Sequence, residues 1–348
     1  MAAKPRFDGE WVKLNQLCIK GRSALKQKDL TNDGPYAVYG ASGIVGSMPT
    51  FQNEIRYVAV VKDGAGVGRA SLCSANTSVL GTMQALIPTE EVSPEYLLHL
   101  VRAMRLGDGF SGSTIPHIYF KDYGQRLVKR VSMVEQERIV DTLGSIERQM
   151  DIARGQLAKF DDFVKSRFAE MFGDAGYPAA TVGSLAVDVR YGTSKKASDC
   201  GQYVYLRMNN MTDDGRLDLD DVKYIDLNGP ELEKCRVVDG DLLFNRTNSR
   251  EKVGKTAVFH EREPMVIAGY IIRVRLGDRI RPDFLATYMN LPTTKAMLRS
   301  IAKGAVHQAN INSRELSAIE VPVPPIELQD RFLSFAAEVD KSRFVVRS

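Results

Sequence analysis

The chain says the same thing twice. Val67-Gly68-Arg69 answers to Val253-Gly254-Lys255, and Gly81 with the apolar run to Leu86 and Ile87 answers to Gly269 with Ile271, Ile272 and Val274. Pro94-Glu95-Tyr96-Leu97 answers to Pro282-Asp283-Phe284-Leu285, and Gln136-Glu137-Arg138-Ile139 to Gln329-Asp330-Arg331-Phe332. The pairs keep their order, and their separation grows only from 186 residues (67 to 253) to 193 (138 to 331). A strand-rich block that runs into a helix has been duplicated and then altered in its loops. Whatever the first half folds into, the second must fold into as well.

At 348 residues the chain exceeds what one core usually fills, so two domains agree with the repeat. Hydrophobic content of 44% and charged content of 26% are those of an ordinary folded protein. The expected layout is a block at 1–131, a central helix at 132–174, a second block at 175–325 and a shortened distal helix at 326–348. No run of about 18 apolar residues or secretory leader is seen, so the expected compartment is the cytoplasm, with no membrane association. The four cysteines lack a Cys-x-x-Cys spacing, which argues against a zinc site or a disulfide framework. The net charge of +4 divides unevenly: +5 on residues 1–131, −3 on 132–174, +2 on 175–325 and zero on 326–348. The basic excess sits on the blocks, where a polyanion could bind.

From Ile139 the apolar positions run Ile139, Leu143, Ile146, Met150, Ala153, Leu157, Phe160 and Val164, in steps alternating four and three. A period of 3.5 gives a narrow seam suited to an antiparallel coiled coil with the second copy of the helix, where Ala336 and Val339 follow Phe332. Ile139 to Phe172 is 34 residues, roughly 51 Å, against 17 residues and roughly 25 Å for Phe332 to Ser348. The expected stop is a left-handed cap at Gly173, with Asp174 and Pro178 beyond it.

Each block reads as mixed α/β, making the whole α+β. Expected strands are 36–39, 57–61, 67–72 and 83–87 in the first block, and 203–207, 241–244, 253–259 and 268–274 in the second. Helices are expected from Pro94, with Ser93 as N-cap, and from Pro282.

The loops hold polar residues suited to reading DNA. In the second block Asn245, Arg246, Thr247, Asn248 and Arg250 precede Lys252 and Lys255, with Arg207, Asn209 and Asn210 on a neighbouring strand end. Arg can bridge guanine O6 and N7, Asn can bridge adenine N6 and N7, and Thr and Lys suit phosphates. In the first block the matching loop offers Lys62, Asp63 and Arg69, and the turn at 39–43 offers Tyr39 and Ser42, equally readable as a structural turn. Catalytic signatures are missing. Residues 63–68 lack the Gly-x-Gly-x-x-Gly and Lys-Ser/Thr patterns, the histidines stand far apart, and no Asn/Asp-Pro-Pro-Tyr/Phe string is present. Val323-Pro324-Pro325-Ile326 is the nearest approach to it.

With these residues in place the chain resembles the specificity subunit of type I restriction-modification systems over nearly its whole length. The resemblance rests on Phe160-Asp161-Asp162-Phe163 through Met171-Phe172-Gly173-Asp174, on the strings before each helix (Val134 to Arg138 and Val321 to Pro325), and on Gly240 to Arg246 with Val253-Gly254-Lys255. It implies two target-recognition domains, each reading half of a split double-stranded DNA sequence, spaced by paired helices. It further implies that the chain is not an enzyme. Modification (methyltransferase) subunits docked on the helices would bind S-adenosylmethionine and methylate adenine, and a restriction subunit would join them. The chain itself would need no cofactor or metal. The departure from the family is the short distal helix, which raises self-association through an uncovered seam, or a scaffold or decoy form with impaired assembly, as alternatives. A rod of 51 Å corresponds to about 15 base pairs, so half-sites about one helical turn apart are expected.

Overall fold

The computed structural model describes residues 8–64, 66–112, 115–173, 175–305 and 308–347. It divides into two compact units, Met1–Asp151 and Ile152–Ser348. In the first, an antiparallel sheet has the spatial order Cys18–Lys20, Met83–Pro88, Tyr57–Val61, Ala70–Cys73. A second sheet has the order Gly43–Met48, Tyr36–Gly40, Ser78–Val79, its last pair parallel.

The second unit repeats both. Its antiparallel sheet runs Ala186–Tyr191, Ile271–Leu276, Leu242–Asn245, Thr256–Val258. Its other sheet runs Lys223–Ile225, Tyr203–Leu206, Met265–Ile267, again with a parallel last pair, and adds Arg236–Val237 at the edge. Strand order and direction therefore agree at every shared position, as a duplicated sequence requires.

The central strand of each unit is buried on both faces. Alternation sends Val58 and Val60 into one apolar cluster and Tyr57, Ala59 and Val61 into another. Leu242 and Phe244 likewise part from Leu243. A strand with two buried faces must read as a continuous apolar run, and both do.

Each sheet carries a helix started by proline: Pro94–Ala103, where the Ser93 Oγ accepts from the Tyr96 N–H, and Pro282–Met289. A buried glutamine ties each of these starts to the next helix. The Gln136 Oε1 accepts from the Ser93 N–H at 2.9 Å, and its Nε2 donates to the carbonyls of Glu91 (2.8 Å) and Val131 (3.1 Å). The Gln329 Oε1 accepts from the Arg281 N–H at 2.8 Å, and its Nε2 donates to the carbonyls of Arg279 (3.2 Å) and Pro324 (2.8 Å). The two amides are 1% and 0% exposed, so no water replaces a lost bond.

The long helices are Met133–Phe172 and Ile326–Arg347, each beginning six residues before the first repeated apolar position. Gly173 does not adopt the left-handed cap expected of it. Its N–H donates to the Ala169 carbonyl, and it is absent from the positive-φ glycines. The proposed Asp174 end lies outside the described residues.

The seam does not face a single helix. Ile139 packs on the first unit's core, and Leu143 lines a groove of about 480 Å³ with Leu100 and Tyr96. Ile146 and Met150 are each 48% exposed, and Ile152 is 61% exposed. Leu157 and Phe160 are half-buried and exposed on their flanks. Among the described residues the seam meets a second long helix toward the C-terminal end of the first. There Asp161 pairs with Arg343, Phe163 meets Phe335 at 5.1 Å, and Phe168 meets Phe332 at 5.2 Å. Rising numbers on one helix meet falling numbers on the other, so this stretch is antiparallel. Val164, Leu333 and Ala336 line its side, and Phe168, Phe172, Phe284 and Phe332 close an aromatic cluster.

The expected strands at 67–72 and 253–259 begin late, at Ala70 and Thr256. Turns occupy the missing residues, with Gly66, Gly68 and Gly254 at φ of +86°, +84° and +81°. Behind the second turn lies the helix Pro292–Ile301, whose Lys295 Nζ donates to the Gly254 carbonyl at 2.5 Å. Burial holds that ammonium down to a pKa of about 7.

Two outcomes follow from these contacts. Gln136→Leu or Gln329→Leu strips a buried N–H and two carbonyls of their partners, and lowers the stability of its own unit by about 2–4 kcal/mol in denaturant unfolding. For Lys295 the folded pKa lies below the ordinary value of 10.5, so between the two the unfolded chain holds the extra proton. Stability of the second unit therefore drops as pH falls from about 10 toward 7, and Lys295→Met flattens that part of the pH profile in thermal melts.

Candidate functional site

The repeated hydrogen-bond pattern locates equivalent residues at the ends of the two central strands. The Lys62 N–H donates to the Thr82 carbonyl (3.0 Å), and its own carbonyl accepts from the Ile118 N–H (3.0 Å). The Arg246 N–H donates to the Tyr270 carbonyl (2.9 Å), and its carbonyl accepts from the Ile311 N–H (2.9 Å). Lys62 and Arg246 thus occupy one position of the fold, and His117 and Asn310 occupy another beside it. Each loop closes on its glycine, Gly68 donating to the Val61 carbonyl and Gly254 to the Asn245 carbonyl, both at 2.8 Å.

In the second unit Arg246 is half-buried, its guanidinium 4.9 Å from the centre of the Tyr191 ring. It donates to the Gly269 carbonyl (3.3 Å) and to the Asn310 Oδ1 (3.2 Å). Asn248 is half-buried, its Oδ1 accepting from the Ser249 N–H. Lys252 and Asn209 are exposed.

Other candidates are turned inward. Asn245 is fully buried, Thr247 lies in the strand Thr247–Asn248 at 8% exposure, and Asn210 is 3% exposed with its Nδ2 donating to the carbonyls of Asp218 and Asp221. The Lys255 Nζ is held by the Met211 carbonyl (3.0 Å) and by Asp213 (2.8 Å), and that ion pair holds the Asp213 carboxyl below its usual range. Arg207 is bound to Asp221, and Arg250 reaches the carbonyls of Arg299, Ala302 and Gly304, tying the loop to the end of the helix Pro292–Ile301. Asn210, Asn245, Thr247 and Lys255 are therefore not surface contacts. A sequence shows that a residue can hydrogen-bond but not whether its own fold already uses it.

In the first unit Asp63 Oδ1 and His117 Nδ1 lie 2.7 Å apart, and the His117 ring stacks against Tyr119 with centroids 6.4 Å apart. Lys62 is half-buried, and among the described residues no hydrogen bond or ion pair reaches its ammonium. Arg69 is exposed, its Nε donating to the Gly66 carbonyl. Tyr39 and Ser42 sit elsewhere, on the hairpin joining Tyr36–Gly40 to Gly43–Met48, where Gly43 at φ +111° makes a tight turn. Ser42 is exposed at its tip, while Tyr39 packs on the apolar cluster under the sheet.

Sequence reasoning missed His117, Tyr191 and Asn310. A signal for the first and last existed: they stand as far apart in the chain as Gln136 and Gln329, and each precedes an isoleucine. Tyr191 had no such mark. Among the described residues no group of three or more His, Cys, Asp or Glu could hold a metal ion, and no helix is long and apolar enough to cross a membrane.

The chain is similar to known proteins over part of its sequence and in its fold. The model of the type I restriction modification DNA specificity domain matches residues 8–160. A putative type I restriction enzyme MjaX specificity subunit of Methanocaldococcus jannaschii is 26% identical over 189 residues, 53% of this chain and 44% of that protein. The type I restriction enzyme EcoKI specificity subunit of Escherichia coli K12 is 25% identical over 150 residues, 42% of this chain and 32% of that protein. The chain spans less than half the length of these curated relatives. A crystal structure of the type I restriction-modification system S subunit from M. genitalium shares the fold, with a TM-score of 0.54 at 14% identity over 100% of this chain and 93% of that one. Residues 8–160 thus match the type I restriction modification DNA specificity domain, and the fold of the chain as a whole is similar to that of the M. genitalium S subunit.

Proposed function

We propose that this chain selects DNA for a type I restriction-modification complex without itself catalysing a reaction. Each unit reads one half of a two-part double-stranded target. The carrying observation is that two units of one topology present different side chains at the same place, with Lys62, Asp63 and His117 in one and Arg246, Asn310 and Tyr191 in the other. Identical scaffolds with different polar tips suit two half-sites of different sequence, read through base edges. Exposed Arg69 and Lys252 suit the phosphates beside them.

Modification subunits dock on the helices, bind S-adenosylmethionine and methylate adenine, and a restriction subunit joins that core. The exposed apolar positions Ile146 and Met150, one turn apart on the same face, fit a landing surface on the helix, since bare apolar side chains in water gain from being covered.

Adenine-methylation mapping in cells with and without the gene tests the reading directly. The expected result is loss of a motif made of two short specific parts around a non-specific gap; dependence of a continuous, ungapped motif on the gene contradicts it. For the helix, light scattering of the purified chain alone is expected to show species larger than a monomer. Ile146→Glu with Met150→Lys returns it to a monomer and weakens capture of the modification subunit; a wild-type chain that is already monodisperse as a monomer counts against this surface.

A further inference from the structure

We propose that Arg246 and Asn310 form a guanine-reading pair in the second unit, with the Tyr191 ring as the shelf that holds the fork flat. This deepens the DNA-reading function proposed above and rests on it.

A guanidinium carries five N–H donors and no acceptor. In Arg246 one Nη1 donor goes to the Gly269 carbonyl and one Nη2 donor goes to the Asn310 Oδ1. The buried Nε has no partner among the described residues, and one further N–H remains on each terminal nitrogen. Asn310, having turned its carbonyl oxygen toward Arg246, keeps its two amide N–H donors. The pair thus offers several donors against the one lone pair left on the Asn310 Oδ1.

Of the four bases, guanine presents two acceptors, O6 and N7, side by side in the major groove, and a two-pronged donor matches it. Adenine and cytosine present an amino group there, which a fork of N–H donors disfavours. The backbone of residue 246 is pinned on both sides by Tyr270 and Ile311, and stacking on Tyr191 at 4.9 Å restricts the side chain, so little freedom remains to be lost on binding.

The first unit lacks this pair at the same position. Lys62 stands where Arg246 does, and His117, in the place of Asn310, is engaged by Asp63. This position thus presents an imidazole and a carboxylate 2.7 Å apart beside a single ammonium, in place of the guanidinium fork. The two half-sites therefore differ at the corresponding base.

The test selects binding sequences from a randomised double-stranded DNA library with the full chain, and repeats the selection with variants. Wild type is expected to enrich a two-part sequence with a fixed guanine in one part. Arg246→Ala and Asn310→Ala relax that one position by roughly 5- to 150-fold and leave the other part unchanged. Lys62→Ala alters the other part instead. Should Arg246→Ala unfold, as a thermal melt would show, Arg246→Lys and Asn310→Asp serve in its place. The first keeps the charge without the fork, and the second draws the fork away from the base; both lose the guanine preference while retaining folded stability. If wild type enriches a sequence and these variants keep its preference at every position, the pair is refuted while DNA reading stands. If wild type enriches nothing, DNA reading itself fails, and the pair with it.

Discussion

The amide of a buried glutamine holds each half of this molecule in order. Its oxygen covers a main-chain N–H at the start of one helix, and its nitrogen joins two carbonyls near the start of the next. An amide has the one acceptor and two donors that the site requires, in a fixed plane. Leucine would fill the space and leave three polar groups dry, and glutamate would set its charge against two carbonyls. The burial of Gln136 and Gln329 makes these bonds stronger than they would be in water and their loss harder to repair.

From that clamp the rest follows in sequence. The helices at Pro94 and Pro282 are fixed against their sheets, the sheets bury their central strands on both faces, and those strands deliver Lys62 and Arg246 to equivalent points. On the DNA-reading function proposed above, a side chain at the end of a strand with no freedom to shift suits recognition, because a contact to a base edge needs sub-ångström placement. The chemistry at the tips has diverged while the support has not. Asp63 with His117, and Arg246 with Asn310 over Tyr191, are two solutions built on one frame.

Much of the frame was legible in the sequence. The four repeated strings fell on the glycine turns, the last sheet strand, the proline-started helices and the glutamine clamp, so the duplication could be read before any coordinate. The seam starts only at Ile139 because the beginning of the long helix, Met133 to Arg138, carries no seam residue. The seam itself misled. Its period of 3.5 describes one face of a helix, but Ile139 and Leu143 are used by the first unit, whereas Val164 faces another helix, and a spacing does not say what lies opposite it. Among the site residues the limit was different. Arg207, Arg250 and Lys255 look like anion ligands in a string, yet each meets oxygens of its own fold. Asn245 has the right chemistry for adenine and sits at the fully buried end of a strand. The residues that matter beside Arg246, namely Tyr191 and Asn310, come from segments more than fifty positions away on either side, and only the fold brings them together.

Gly68 and Gly254 take on a further meaning in this light. Each holds a left-handed backbone at the close of its loop, and a Cβ at either would strike a neighbour, at 2.2 Å from the Gly107 nitrogen or 2.7 Å from the Leu298 Cδ1. They act as buckles: the chain can lengthen, shorten or change its letters between strand end and buckle, and it re-enters the sheet in the same register. Such a loop is a cassette with standard fittings, in which a new preference can arise without redesign of the machine that carries it.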